Sequence, residues 1–153
     1  MTAPSEIIEI KENQYETVQI RNLKHDQVIY MQRSNLSWLS PQLMTIDEYV
    51  TNKREGKFYI GDDYYVHTSV FERKSKKTVL ISIRRWVYYG YDDIERHKPT
   101  SDGITVADKD WSELYEKLLD HIYMRQYFRL LEKETPNVEN VDSIVDGYTP
   151  LSP

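Results

Sequence analysis

The chain has 153 residues, 29% of them charged and 39% hydrophobic, with a net charge of −5. That length fits one domain with appendages and is enough to bury a real core. It has no cysteine, which excludes disulfide frameworks, thiolate metal sites and thiol catalysis together. No run approaches the roughly 18 apolar residues that a bilayer crossing needs, so no membrane partner is expected. The first ten residues lack a basic region followed by an apolar core and do not read as a secretory signal. The expected setting is intracellular, and nuclear if the source is a eukaryote or a virus of one.

The first 55 residues read as β-rich. Ile7-Ile8-Glu9-Ile10 suggests a short strand. Tyr15 to Arg21 alternates well enough for a second, with Val18 and Ile20 on one face, and Gln27 to Gln32 makes a third. Ser34 to Pro41 is loop-like, although Leu36, Trp38 and Leu39 need something to pack on. Thr45-Ile-Asp-Glu48 has capping-box spacing and predicts one helical turn through Val50. This half holds too many apolar residues for a tail, but no chemistry attaches to it.

The next stretch is clearer. Gly56 to Gly61 predicts a short strand and Asp63 to Phe71 a longer one, with Tyr65, His67 and Phe71 on one side. Glu72 to Lys77 reads as a basic turn into Thr78–Tyr89, which is rich in β-branched and aromatic residues. The two strands should form an antiparallel hairpin. Within the second, Val79, Ile81, Ile83 and Val87 read as core, and Ser82, Arg84, Trp86 and Tyr88 face the other way. If the polar-aromatic faces coincide, Tyr65, His67, Phe71, Arg84, Trp86 and Tyr88 share one surface. Gly90 to Asp102 reads as a polar loop with Arg96, His97, Lys98 and Pro99, and Gly103 to Val106 as a brief edge strand.

A long helix is expected from Asp108, a fair N-cap, to about Lys133. Trp111, Leu114, Leu118 and Ile122 recur at helical spacing on a stripe wide enough for core and a partner helix. Beyond it the chain carries Glu134, Glu139, Asp142 and Asp146 with no basic residue and reads as an acidic, disordered tail. Charge is therefore polarised. Between Phe71 and Arg85 lie Arg73, Lys74, Lys76, Lys77, Arg84 and Arg85 against the single acid Glu72, and local field governs association more than net charge does.

The expected surface has a physical logic of its own. Bases of unpaired strands stack on aromatic rings for about 1–3 kcal/mol each without regard to sequence, while neighbouring lysines and arginines neutralise phosphates. Competing uses are a protein contact at Trp86 and Tyr88 and a solvated tip at Lys74, Lys76 and Lys77 that discourages edge pairing. His25, His67, His97 and His121 lack ligand spacing, so no metal is expected. Asp62-Asp63 and Asp92-Asp93 fall in turns, where Asp is ordinary. No glycine-rich phosphate loop is present, no cofactor is implied, and the chain does not read as an enzyme.

Phe58-Tyr-Ile-Gly61, Val79-Leu-Ile-Ser-Ile-Arg84, Lys98-Pro99, Gly103-Ile-Thr-Val106 and Trp111-Ser-Glu-Leu114, in that order and spacing, together resemble the positive-cofactor-four family of transcriptional coactivators. The resemblance covers about residues 56–124. It implies an α+β fold, a curved four-stranded antiparallel sheet followed by one long helix, dimerising through that helix. It also implies non-sequence-specific binding of single-stranded DNA in transcription or replication, with proteins of those processes as further partners. Phe71, Arg84 and Lys98 match the family's aromatic, strand arginine and loop lysine. The expected DNA-binding set is then Tyr65, His67, Phe71, Arg73, Lys74, Lys76, Lys77, Arg84, Trp86, Tyr88 and Lys98, with Trp111, Leu114, Leu118 and Ile122 as the dimer seam. Departures are Arg85 where the family commonly has an acid, and Ser101 and Asp102 where it is often basic. The expected organisation is residues 1–55 as an extension, 56–133 as the binding domain and 134–153 as the tail. An interaction module without DNA binding and a single-stranded RNA binder are the alternatives.

Overall fold

The structure, a computed structural model, describes residues 6–89 and 96–134, without the side chains of 125–129 and 132–134. Three antiparallel strands open it: β1 (Ile8–Glu12), β2 (Thr17–Asn22) and β3 (Gln27–Gln32), in the order β1-β2-β3. Strict alternation buries Val18 and Ile20 of β2 beside Ile29 and Met31 of β3. Next come α1 (Arg33–Leu39), a 3₁₀ turn (Ser40–Gln42) and α2 (Leu43–Thr51).

The helical segment corrects the expected loop. Gln32 and Asn35 close a capping box at the start of α1, and Leu36, Leu39, Leu43, Ile46 and Val50 are all buried. Their spacing is helical across the whole run, and Pro41 is tolerated because it opens a new turn.

The second sheet contains β4 (Gly56–Tyr59), β5 (Tyr64–Arg73), β6 (Lys76–Tyr89) and β7 (Arg96–Ala107), antiparallel in that order. Helix α3 (Asp108–Glu134) follows. The α+β class, the four-stranded sheet and the helix after it are thus as the sequence implies. The expected polar loop is corrected in part: residues 96–102 are strand, so β7 is three times the predicted length, and positions 90–95 lie outside the described residues, as do 135–153. The basic turn also shrinks. Arg73 pairs with Lys76, so only Lys74 and Ser75 remain in the turn, both at positive φ.

Val66, Thr68, Val79, Ile81, Ile83, Ile104 and Val106 turn one face of this sheet into the core. Trp111, Leu114 and Leu118 of α3 are buried too, and the Trp111 indole donates to Asp47 of α2 at 2.8 Å. The N-terminal half is part of the same structure. Asn22 donates to the Thr105 carbonyl, Gln27 accepts from the Thr105 amide, and Glu113 accepts from the amides of Ile7 and Ile8. A compact unit runs to Leu119, and a second starts at Asp120. No helix among the described residues is long and apolar enough to cross a membrane.

Candidate nucleic-acid interface

The other face of the four-stranded sheet holds a cluster of rings. Register sets Lys57 beside His67, Tyr59 beside Tyr65, and Tyr65 beside Arg84. Pairing of β6 with β7 breaks between Arg84 and Trp86: Arg84 faces Gly103, whereas Trp86 faces Pro99. Three residues of β7, Thr100 to Asp102, stand opposite the single Arg85 of β6. A bulge of this kind bends the ribbon.

Beyond the bend, Trp86 lies 5.4 Å from the ring of His67, 6.0 Å from Tyr65 and 5.1 Å from His97. His97 stacks on Tyr88 at 4.2 Å and 17° and meets Tyr65 edge-on at 4.9 Å. Lys57 crosses the cluster, its ammonium 4.1 Å above Trp86 and 4.9 Å from Tyr65, and its Nζ touches Nδ1 of His97. The path continues outward from Tyr65 to Tyr59 at 5.2 Å and from Tyr59 to Trp38 of α1 at 5.2 Å.

Exposure divides these rings. Tyr88 is 62% exposed, Trp38 52% and Tyr59 39%, but Trp86 only 8%. The expectation that Trp86 stands on an open face is therefore corrected: the bend folds it under His97 and Lys57. Its Nε1 and the Nε2 of His97 are buried without a hydrogen-bond partner among the described residues.

The electrostatics follow from burial beside a cation. Burial lowers the pKa of Lys57. Burial, then the Lys57 charge, hold His97 below the ordinary imidazole value against a smaller pull from Asp63. His67 is lowered by burial and by Lys57, with Glu55 opposing. Tyr65 is raised, first by burial and then by Tyr88, with which it shares a hydrogen bond. These shifts favour the neutral form of the His97, His67 and Tyr65 rings around Lys57.

The other expected residues separate from this group. Arg84 is half-buried and occupied: Nη1 donates to the Thr100 carbonyl at 3.1 Å and Nη2 to Thr105 Oγ1 at 2.7 Å, which fastens the bulged strand. Phe71 is exposed on the same side as Tyr65 but six residues along the strand, about 20 Å away at 3.3 Å per residue, next to exposed Arg73, Lys74, Lys76 and Lys77 at the hairpin tip. Lys98 is exposed, its ammonium 5.6 Å from the Tyr89 ring. The expected seam residues Trp111, Leu114, Leu118 and Ile122 are all buried within the single chain.

Four participants went unassigned on the sequence: Lys57, Tyr59, His97 and Trp38. The alternation of Lys57 and Tyr59 about Phe58 carried a signal, because antiparallel pairing places them beside His67 and Tyr65. His97 carried none, sitting in a stretch that reads as loop.

No protein-family model, no curated protein and no solved structure matches the chain.

Proposed function

We propose that the chain binds single-stranded DNA without sequence specificity, in transcription or replication, through the ring path from Trp38 to Tyr88. The observation that supports this most is an unbroken path of aromatic rings, exposed at Trp38, Tyr59 and Tyr88 and half-buried at Tyr65 and His97, with Lys57 set among them. Successive bases stack on rings of this kind, and a cation beside them neutralises phosphate. The basic tip at Arg73, Lys74, Lys76 and Lys77 lies off one end of the face and extends the electrostatic footprint.

The test is fluorescence anisotropy of a labelled oligo-dT titrated at two salt concentrations, alongside duplex DNA and oligo-rU of equal length. Binding should favour the single strand and weaken with salt. Tyr88→Ala and Lys57→Ala together should weaken it about tenfold or more, given the usual worth of one base-stacking ring. Equal binding to duplex, or none at low salt, sinks the proposal. Preference for oligo-rU would move it to RNA.

A second reading, a protein-interaction module, draws support from the burial of Trp86 and the internal bonds of Arg84, since both withdraw side chains that a DNA face would use. The homodimer belongs to the proposal as well. With Trp111, Leu114 and Leu118 in the core, its seam shifts along α3 to Tyr123, Met124 and Leu130, large and exposed apolar side chains. Sedimentation equilibrium of the Tyr123→Glu, Leu130→Glu variant against the parent should show the dimer lost.

A further inference from the structure

The ring path ends in an open groove of 640 Å³ between α1, the 3₁₀ turn and β4, lined by Ser34, Ser37, Trp38, Pro41, Gln42 and Tyr59. Its position is fixed from below. The buried Asn35 amide donates to the carbonyls of Ile60 at 2.8 Å and Gly61 at 3.0 Å, which holds α1 against the turn after β4. Gly61 has φ +90, and a Cβ there would stand 2.8 Å from the Trp38 ring. The indole thus lies directly over the glycine.

The lining contains an exposed indole, two serine hydroxyls, a proline and an amide, and no charged group. Such chemistry suits a base rather than a phosphate, because stacking and edge hydrogen bonds are on offer and neutralisation is not. The amide supplies a direction. Gln42 Nε2 donates to the carbonyls of Trp38 and Tyr59, both at 2.8 Å. With its nitrogen committed twice, the planar amide must present Oε1 on its other side, and that oxygen makes no hydrogen bond among the described residues. A fixed acceptor pairs with an amino group and repels a carbonyl. Cytosine offers a donor at N4, whereas thymine offers an acceptor at O4.

We infer that this groove is a nucleobase subsite, filled by one unstacked base of a bound strand, that favours a base with an exocyclic amino group. The inference rests on the reading of the sheet face as a single-strand interface and adds to it a base preference at one position. Gln42 and Trp38 are its specificity-determining and stacking residues.

Labelled oligo-dC and oligo-dU of equal length, titrated into the full chain at pH 8, test it, because the two differ only in the group at position 4 and the proton at N3. Oligo-dC should bind about three- to tenfold more tightly, the worth of one neutral hydrogen bond. Gln42→Ala should bring that ratio close to one. Because Gln42 also ties two carbonyls, Ser37→Trp is the companion variant: it fills the groove without touching the amide bonds and must abolish the same preference. A ratio near one in the parent chain, or a ratio that survives either folded variant, overturns the subsite and leaves single-strand binding standing. No binding to either oligonucleotide overturns the interface reading and the subsite with it.

Discussion

The ammonium of Lys57 touches Nδ1 of His97, although the two residues stand on the first and last strands of a four-stranded sheet. In a flat sheet those strands are three spacings, or about 14 Å, apart. They meet because the β6–β7 ribbon bends at its bulge and leans its outer arm across the face. The contact is also a pH device. Burial and Lys57 keep His97 neutral in the fold, and burial does the same for His67. An unfolded chain has no such constraint, so below the ordinary imidazole pKa of about 6.5 it binds protons that the folded chain resists. Stability should therefore fall as pH drops from about 7.5 to 5.5. Urea unfolding at several pH values checks this, and His97→Gln with His67→Gln should flatten the slope.

Trp86 belongs to the fold more than to the surface. Trp86→Ala removes the ring that His67, Tyr65, His97 and Lys57 all pack on, and a large buried aromatic is worth about 3–5 kcal/mol. Thermal unfolding should show that loss, whereas exposed Tyr88→Ala should cost under about 1 kcal/mol. Weakened DNA binding in a Trp86 variant would report unfolding, so Tyr88 is the sound probe of the interface.

The β5–β6 turn carries correctable strain. Lys74 at φ 53 and Ser75 at φ 65 occupy left-handed positions that cost non-glycine residues about 1–2 kcal/mol each, less for Asn. Two-residue turns of this type favour Asn-Gly. Lys74→Asn with Ser75→Gly should stabilise the chain by about 1 kcal/mol and raise Tm by about 3 °C. Calorimetry would show whether it does.

Glu113 joins the start of β1 to α3. Burial pushes its pKa up, but the amides of Ile8 and Ile7 and the Lys117 ammonium outweigh that and hold it below the ordinary carboxylate value. A depressed carboxylate contributes stability that is present above its unfolded pKa of about 4.3 and is lost as pH falls through the lower folded value. Glu113→Gln should lower stability at pH 7 and reduce the dependence below about pH 5. Chemical denaturation from pH 3 to 7 measures both.

The sheet and the helix after it were legible because Val79, Ile81 and Ile83 alternate cleanly and Trp111, Leu114 and Leu118 recur at helical spacing. The site was half legible. Period two placed Tyr65, His67, Trp86 and Tyr88 together, and they are together. Periodicity says which face a residue takes but not whether that face stays open, and a bulge made by Thr100 to Asp102 leaves no mark in the alternation of β6. Arg84 misled for a related reason: a guanidinium that fits a phosphate fits a carbonyl and a hydroxyl as well. The N-terminal half resisted because its partners, Thr105 of β7 with Trp111 and Glu113 of α3, lie a long way down the chain from it.

Gly103 sits where Arg84 and β7 come closest. A Cβ there would fall 2.7 Å from the Arg84 Cα and press against the Ile83 carbonyl, both parts of the backbone and neither able to give way. Every substitution at this position must push the two strands apart at the point where the ribbon turns. For protein engineering, position 103 is thus a single-residue wedge point: any side chain there strains β6 against β7 beside the bend and presses on the Arg84 side chain that fastens it.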